Sequence, residues 1–369
     1  MKCRSAAAKR MRRPLLLLAA VLLLSSCGSS GKTPAATTTT NDAVTRARSQ
    51  RVLDDAIKVG APGCSAAVGF KGRVVWTGVR GIANMSTGDP ITTNTVFDIA
   101  SVSKQFTATA VLLLAERGKL TLDDPLSRHV PELPPWAAAV TLAQLMHQTS
   151  GIPDYVGLLQ ADGFQYSDRT TEDQAMQALA AVPNLQFQPG AKFEYSNSNY
   201  LLLGEIVHRA STEPLPQFLD AEIFHPLGLA MVMDPVGEIS NKAVSYEKGD
   251  DEYQATKPSW EQIGDGAIQT TPSQLVYWAD NYRTGIVGGP ELLDAQLSGS
   301  VETEPGGSDR YGAGIYLMAN GTLEHDGTWA GFVTTFRISK DRLKSLAISC
   351  NTDKQDPEAL ADALGQLWM

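Results

Sequence analysis

The chain opens on a cationic stretch followed by an unbroken apolar run, PLLLLAAVLLL at 14–24. Residues 28–45, GSSGKTPAATTTTNDAVT, are small and polar with no apolar period, so no element is expected there. In RARSQRVLDDAIKVG the spacing of Leu53, Ala56 and Ile57 predicts a helix that stops at Gly60. CSAAVGF and RVVWTGVRG, parted by Lys71-Gly72, read as the arms of a hairpin. From SVSKQFTATAVLLLAERG to about Leu229 the pattern is helical, with Pro and Gly breaks between TLAQLMHQTSG, TEDQAMQALAAV and NYLLLGEIVHRA. In GDGAIQTTPSQLVYWADNYR, Thr271 is placed to cap a helix with Pro272 at its first position. The tail returns to strands in YGAGIYLM, TLEHDG, FVTTFRIS and LKSLAISC. A last helix is capped at Asp356, with Leu360, Leu364 and Leu367 on one face.

Sheet at both ends with helices between predicts an α/β (α+β) fold. Its antiparallel sheet is built from both termini and flanked by helices, and an all-helical subdomain is inserted over roughly 100–235. A chain of 369 residues, 43% hydrophobic, has ample material for such a core.

Charge and cysteines then place the chain. Lys2, Arg4, Lys9, Arg10, Arg12 and Arg13 precede the apolar run, which is too short to span a bilayer. A basic start, a short apolar centre and small residues after it make a secretory signal over 1–27. Leu24-Ser25-Ser26-Cys27 resembles the lipobox of bacterial lipoproteins, in which the cysteine is lipidated; simple signal cleavage or an uncleaved anchor are the alternatives. The expected organisation is a signal at 1–27, a tether at 28–45 and one folded domain at 46–369, lipid-anchored outside the cytoplasm. Loss of the six cations takes the net charge from −9 to −15, which argues against nucleic acid as a partner. Cys64 and Cys350 then remain as a single pair in a compartment that permits disulfides.

Three pieces carry candidate chemistry. Ser101 and Lys104 in SVSK are three apart at a helix start, where they share a face; free N–H groups there favour developing negative charge. A partly buried lysine at that place has a depressed pKa and serves as a base. Tyr195 and Asn197 in FEYSNSNY lie in a polar turn before a helix near Asn199, offering a proton shuttle and a carbonyl-binding amide. His325-Asp326-Gly327-Thr328 ends a strand, where the glycine admits close approach and the Thr328 N–H pairs with that of Ser101 as an oxyanion site. Taken singly, each piece is as well explained by a solvated turn or an ordinary strand edge.

In this order, S-x-x-K, Y-x-N and [K/H]-x-G resemble the penicillin-recognising serine hydrolases, the class C β-lactamases with their esterase, D-peptidase and D-aminopeptidase relatives. HQTSGIPDY, QPGAKFEYSNSNY and GDGAIQTTPSQL agree with that family. The resemblance implies that Ser101 is acylated and that Lys104 and Tyr195 move its proton, either being the base. It further implies that Asn197 and the His325–Gly327 strand hold substrate, with the Ser101 and Thr328 amides on the oxyanion. It also implies that the first and last strands are neighbours, which brings Cys64 and Cys350 face to face. No cofactor is expected, and the partner is a small ester, peptide or β-lactam.

One departure shifts the expected substrate. Where many relatives carry Lys, this chain has His325, mostly neutral near pH 7, which favours esters or small peptides over β-lactams. A true class C-type β-lactamase or D,D-carboxypeptidase is the alternative enzyme, and a non-catalytic envelope binder is the alternative of another class. No G-x-S-x-G elbow occurs, GSSG at 28–31 having the wrong spacing and lying in the tether, and the histidines are scattered, so neither an α/β-hydrolase nor a metal site is expected. His147 is expected to satisfy backbone groups of its own turn.

Overall fold

The computed structural model describes residues 36–249 and 252–369. The signal, its Cys27 and the first part of the tether therefore lie outside the described residues. Residues Ala43–Met369 form one compact unit.

Eight antiparallel strands make the main sheet: β1 (Cys64–Phe70), β2 (Arg73–Arg80), β3 (Val301–Glu302), β4 (Arg310–Tyr311), β5 (Tyr316–Leu317), β6 (Leu323–Trp329), β7 (Phe332–Ile338) and β8 (Lys344–Cys350). Their spatial order is β3-β4-β5-β6-β7-β8-β1-β2, so the two ends of the domain meet in mid-sheet. The β1–β8 register sets Cys64 opposite Cys350, and the two sulfurs are bonded at 2.07 Å.

The period of two along the central strands sorts the layers. Cys64, Ala66 and Val68 of β1 and Leu346, Ile348 and Cys350 of β8 point to one face. There they join Leu53 of helix α1 (Ala36–Ala56) and Ile57 just after it, together with Leu360, Ala361 and Leu364 of the closing helix. On the opposite face lie α2 (Lys104–Glu116), α3 (Asn197–Ser211) and α4 (Pro272–Ala279), whose apolar residues fill the larger core. Contact there is close: a Cβ on Gly69 of β1 would fall 2.4 Å from Cγ1 of Val276 in α4. Helix α2 is buried from Lys104 to Leu114, as its nearly continuous apolar sequence requires. The closing helix, α5 (Pro357–Trp368), is capped by Asp356, whose side chain accepts from the Ala359 amide.

The fold is thus mixed α/β, with an antiparallel sheet flanked by helices and a helical insertion, as expected. Four details differ. Helix α1 begins at Ala36, inside the stretch read as tether, because a helix anchored at Leu53 propagates outward through residues that would not nucleate it. Ala56 is exposed rather than packed, Leu53 and Ile57 carrying that contact. The insertion is not purely helical: Val232–Met233 pairs with Ile268–Thr270, which also pairs with Phe97–Asp98. YGAGIYLM gives only the short β4 and β5, since Gly314 at φ +75° turns the chain between them.

Candidate active site

The Phe97–Asp98 strand delivers the chain to Ser101 through a sharp bend at Ala100, which has φ +47°. This left-handed conformation costs a residue with a Cβ roughly 1 kcal/mol. It is held by the buried Asp98, which accepts from the Ala100 amide at 2.8 Å and from Gln269 Nε2 at 2.7 Å. A 3-10 turn, Ala100–Ser103, then leads into α2. Side chains at i and i+3 eclipse in such a turn, so Ser101 and Lys104 stand in line, with Lys104 Nζ donating to Ser101 Oγ at 2.9 Å.

The second arm is the turn before α3, which starts at Asn197, two residues earlier than its sequence indicates. The HQTSGIPDY segment fixes it. Gln148 Oε1 accepts from the Ser196 amide at 3.0 Å, and the Tyr155 amide donates to Ser198 Oγ at 2.8 Å. Asp154 Oδ2 accepts from both the backbone N–H and the side-chain Nδ2 of Asn197, each at 2.9 Å. A carboxylate only accepts, so this pairing dictates which way the Asn197 amide points. Its Oδ1 is thereby aimed at Lys104 Nζ, 2.9 Å away.

Lys104 has no solvent exposure. Its Nζ also donates to the Asp265 backbone carbonyl at 2.6 Å. Asn197 Oδ1 and that carbonyl can only accept, so they take two amine hydrogens whichever state the lysine is in. The third position of Nζ faces Ser101 Oγ, as an N–H in the ammonium and as a lone pair in the free amine. Burial drives the Lys104 pKa down, against the opposing fields of Asp265 and Asp154. Burial raises that of the Asp265 carboxyl, which the Lys104 charge pulls back.

Tyr195 brings its ring 5.0 Å from Lys104 Nζ. Its hydroxyl is buried and meets no hydrogen-bond partner of good geometry among the described residues. Burial raises its pKa, while the nearby Ser101 hydroxyl acts in the opposite sense.

Strand β6 closes the site. Gly327 packs on the backbone of 99–101, and Thr328 follows it beside Ser101. His325 is buried. Its ring is fixed by contacts of Nδ1 with the Asp326 carbonyl at 2.6 Å and of Nε2 with the Tyr311 hydroxyl at 3.1 Å. A carbonyl accepts only, so Nδ1 carries the hydrogen and Nε2 accepts from the tyrosine. Burial, with the charge of Lys104, pushes the His325 pKa down to about 3, so the ring is neutral.

Two chambers open on either side of Ser101. One is walled by Tyr155, Trp260 and Trp329 and reached by Asn197 and Asp265. The other, which is larger, is lined by Tyr195, His325, Tyr316 and the acids Asp309, Glu324 and Asp326. Neither lining contains a lysine or an arginine among the described residues.

Of the residues named in the three motifs, Ser101, Tyr195, Asn197, His325, Asp326, Gly327 and Thr328 line one or both chambers, and Lys104 reaches them only through its contact with Ser101. His147 departs from its expected part: it is buried with Nε2 unpartnered among the described residues, and burial lowers its pKa to about 4. Asp98, Asp154 and Asp265 were not visible as site residues: Asp98 works on a bend at Ala100 that the sequence does not announce, and the other two meet partners far along the chain. The only sequence signal, for Asp154 and Asp265, was their position in the turn-rich SGIPD and GDG segments. Among the described residues no group of three or more His, Cys, Asp or Glu is arranged to hold a metal.

The fold and this cluster define a serine-hydrolase type of protein. The Beta-lactamase family model matches residues 42–367, and the chain belongs to that family. It is 33% identical over 223 residues to Esterase EstB of Burkholderia gladioli, covering 56% of each chain. It is 34% identical over 149 residues to a penicillin-binding protein of Bacillus subtilis (strain 168), covering 40% of this chain and 33% of that one. The chain thus spans about a third to a half of the length of these curated relatives. Among solved structures, the D-amino acid amidase from Ochrobactrum anthropi SV3 superposes with a TM-score of 0.76 at 24% identity. The match covers 88% of this chain and 98% of that one, and at this identity it speaks for the fold alone.

Proposed function

We propose that the protein is a serine hydrolase working through an acyl-enzyme on small esters or amides. The observation that carries this reading is the 2.9 Å contact of Lys104 Nζ with Ser101 Oγ, with the other two directions of the amine committed to acceptors. Neutral Lys104 takes the Ser101 proton as Oγ attacks the carbonyl carbon, and the amides of Ser101 and Thr328 receive the oxyanion. The proton passes by way of Tyr195 to the departing alcohol or amine as its bond to carbon breaks. Water then attacks the ester on Ser101, delivers a hydrogen back to Oγ and releases the acid. Lys104 is assigned the base because burial discourages the Tyr195 phenolate and favours the free amine.

The neutral His325 and the absence of cations from the described chamber linings leave a substrate carboxylate without a counter-charge. Esters and small amides without that group are therefore the preferred substrates, ahead of β-lactams and D,D-peptides. Turnover of a short p-nitrophenyl ester, nitrocefin and a D-Ala-D-Ala peptide by the full chain tests this order. Faster turnover of nitrocefin than of the ester would reverse it. Cys27 is proposed as the lipidated residue that anchors the protein outside the cytoplasm, and labelling with an alkyne fatty acid that survives Cys27→Ser would exclude that.

A further inference from the structure

One end of the main sheet has a composition that the hydrolase reading leaves unused. The turns at 70–73 and 339–344 lie side by side there. Phe70 stands opposite Arg73 and Lys344 in the strand register, and the Lys71 amide donates to the Leu343 carbonyl at 2.7 Å. The Lys340 side chain crosses the next turn, since a Cβ on Gly321 would fall 2.7 Å from its Cγ. Phe70 is 42% exposed, with Lys71 Nζ 5.3 Å from its ring centroid, and Lys71, Arg73 and Lys340 are exposed around it.

These cations are uncommitted on a chain with 40 acidic and 31 basic residues. Elsewhere on the surface Arg117, Arg169, Arg209 and Arg337 each hold a carboxylate, whereas Lys71, Arg73 and Lys340 form no ion pair among the described residues. The acids of the same edge are occupied. Asp280, against Gly72, takes two bonds from Arg283 at 2.8 and 2.9 Å. Asp341 accepts from the Ser339 hydroxyl at 2.6 Å and from the Leu343 amide at 3.0 Å.

Helix α1 starts on this side. The Ile57 carbonyl, just past its end, accepts from Arg80 Nε at 3.4 Å, and Arg80 pairs with Cys64 at the other end of β1. Ser49 Oγ accepts from the Trp368 indole at 2.7 Å, and Trp368 stacks on Trp76, the β2 partner of Val68. The helix therefore runs from the Phe70 end of the sheet toward the Cys64 end, and Ala43, where the compact unit begins, lies beyond Ser49 on the cationic side. Its first turns there add the exposed Arg46 and Arg48. Ser101 lies toward the opposite end. Gly327, packed on it, shares a row with Thr334, Ser349 and Ser65, about 13 Å along the strands from the row of Leu323, Ile338, Ser345 and Gly69.

A protruding aromatic ring among unpaired cations suits a bilayer with anionic headgroups. The ring enters the interface, and each Lys or Arg near such a surface strengthens binding about fivefold. We propose that this end of the sheet, centred on Phe70, Lys71, Arg73 and Lys340, is a docking surface for anionic lipid that holds the domain against a membrane with Ser101 toward the far side. The surface is independent of the hydrolase reading. To the acyl anchor proposed at Cys27 it adds a contact that fixes the orientation of the domain.

The test measures how fast each lysine of the full chain is acetylated by a water-soluble succinimidyl acetate, mapped by mass spectrometry. The chain is mixed at low salt with vesicles of phosphatidylcholine alone, or of phosphatidylcholine and phosphatidylglycerol in equal parts. On the mixed vesicles Lys71 and Lys340 are expected to react at least threefold more slowly. Lys58 and Lys354, exposed toward the other end of the sheet, should keep their rates. Added salt should remove the protection. The double variant Phe70→Ser, Arg73→Glu should lose it at Lys340 while its turnover of a short ester stays unchanged. Equal rates at Lys71 and Lys340 on the two kinds of vesicle overturn the proposal, as does a slowing shared equally by Lys58 and Lys354, or protection that the folded variant retains. Protection by dissolved dextran sulfate but not by mixed vesicles would assign the edge to a soluble polyanion and overturn it likewise. Should the variant not fold, the wild-type comparison decides. Ester cleavage read in the same samples keeps the two ideas apart: cleavage without protection removes the docking surface alone, and protection without cleavage or an adduct on Ser101 removes the hydrolase reading alone.

Discussion

Gly327 of β6 lies so close to Ser101 that a Cβ built on it would fall 2.9 Å from the Ser101 amide nitrogen and 2.3 Å from the Ile99 carbonyl oxygen. Both are backbone atoms, which cannot swing aside as a side-chain end does. Gly327→Ala is therefore expected to push β6 away from the 99–101 bend while the strand keeps its pairing with β7. The oxyanion amides separate, and kcat for a short ester falls on the order of a hundredfold. Far-ultraviolet circular dichroism should change little. Wild-type kcat in the folded variant would refute this placement.

As the proposed base, Lys104 can take the Ser101 proton only when it is itself unprotonated. Burial sets its pKa below the ordinary lysine value of about 10.4, so acylation should rise with pH along a limb whose midpoint lies below that value. The groups facing it are Asp265 and Asp154, which hold the proton on, with Tyr195 and His325. His325 is neutral above about pH 3 and Tyr195 is displaced upward from the ordinary tyrosine pKa, so neither should add an inflection near neutrality. Asp154→Asn removes a negative charge, and the midpoint of the limb should move to lower pH. A midpoint that moves upward would contradict the assignment of Lys104.

His325 occupies the position where many relatives carry a cation. With its ring pinned by Tyr311 and the Asp326 carbonyl, it cannot supply one near neutral pH. His325→Lys places an ammonium in the larger chamber, whose lining acids help to keep it charged. Acylation by carboxylate-bearing β-lactams is expected to rise severalfold or more, measured as the rate of fluorescent penicillin attachment. An unchanged rate across several such compounds counts against a charge-based preference.

Most of the fold and the centre of the site could be read from residue order. Strand periods in FVTTFRIS and LKSLAISC survive because both faces of these strands are committed to a core, and SVSK survives because its spacing of three is geometric. What could not be read depends on contacts made across the fold. Asp154 orients Asn197 from 43 residues away, and nothing local to either residue announces the other. Asp265 meets Lys104 over a separation of 161 residues. Ala100 adopts a positive φ without being glycine, a strain that only its surroundings reveal. The outward limit of α1 was missed because threonines lower helix propensity without forbidding a helix already begun.

The Cys64–Cys350 bond joins β1 to β8 across a sequence separation of 286 residues. Closing so long a loop restricts the unfolded chain, and a native disulfide typically contributes about 2–5 kcal/mol. The double variant Cys64→Ser, Cys350→Ser is expected to unfold at lower urea with a somewhat steeper slope, because the freed unfolded chain exposes more surface. An identical midpoint, or two free thiols titrated in the unreduced wild type, would show that the bond does not form in solution.

The most direct measurement is the mass of the intact protein after exposure to a reactive acyl or phosphonyl compound. With a fluorophosphonate, or with p-nitrophenyl butyrate quenched in acid during turnover, one added group is expected. Peptide mapping should put it on Ser101, and Ser101→Ala should take up none. A folded wild-type protein that gains no mass on Ser101 from any of these reagents would contradict covalent catalysis by this residue.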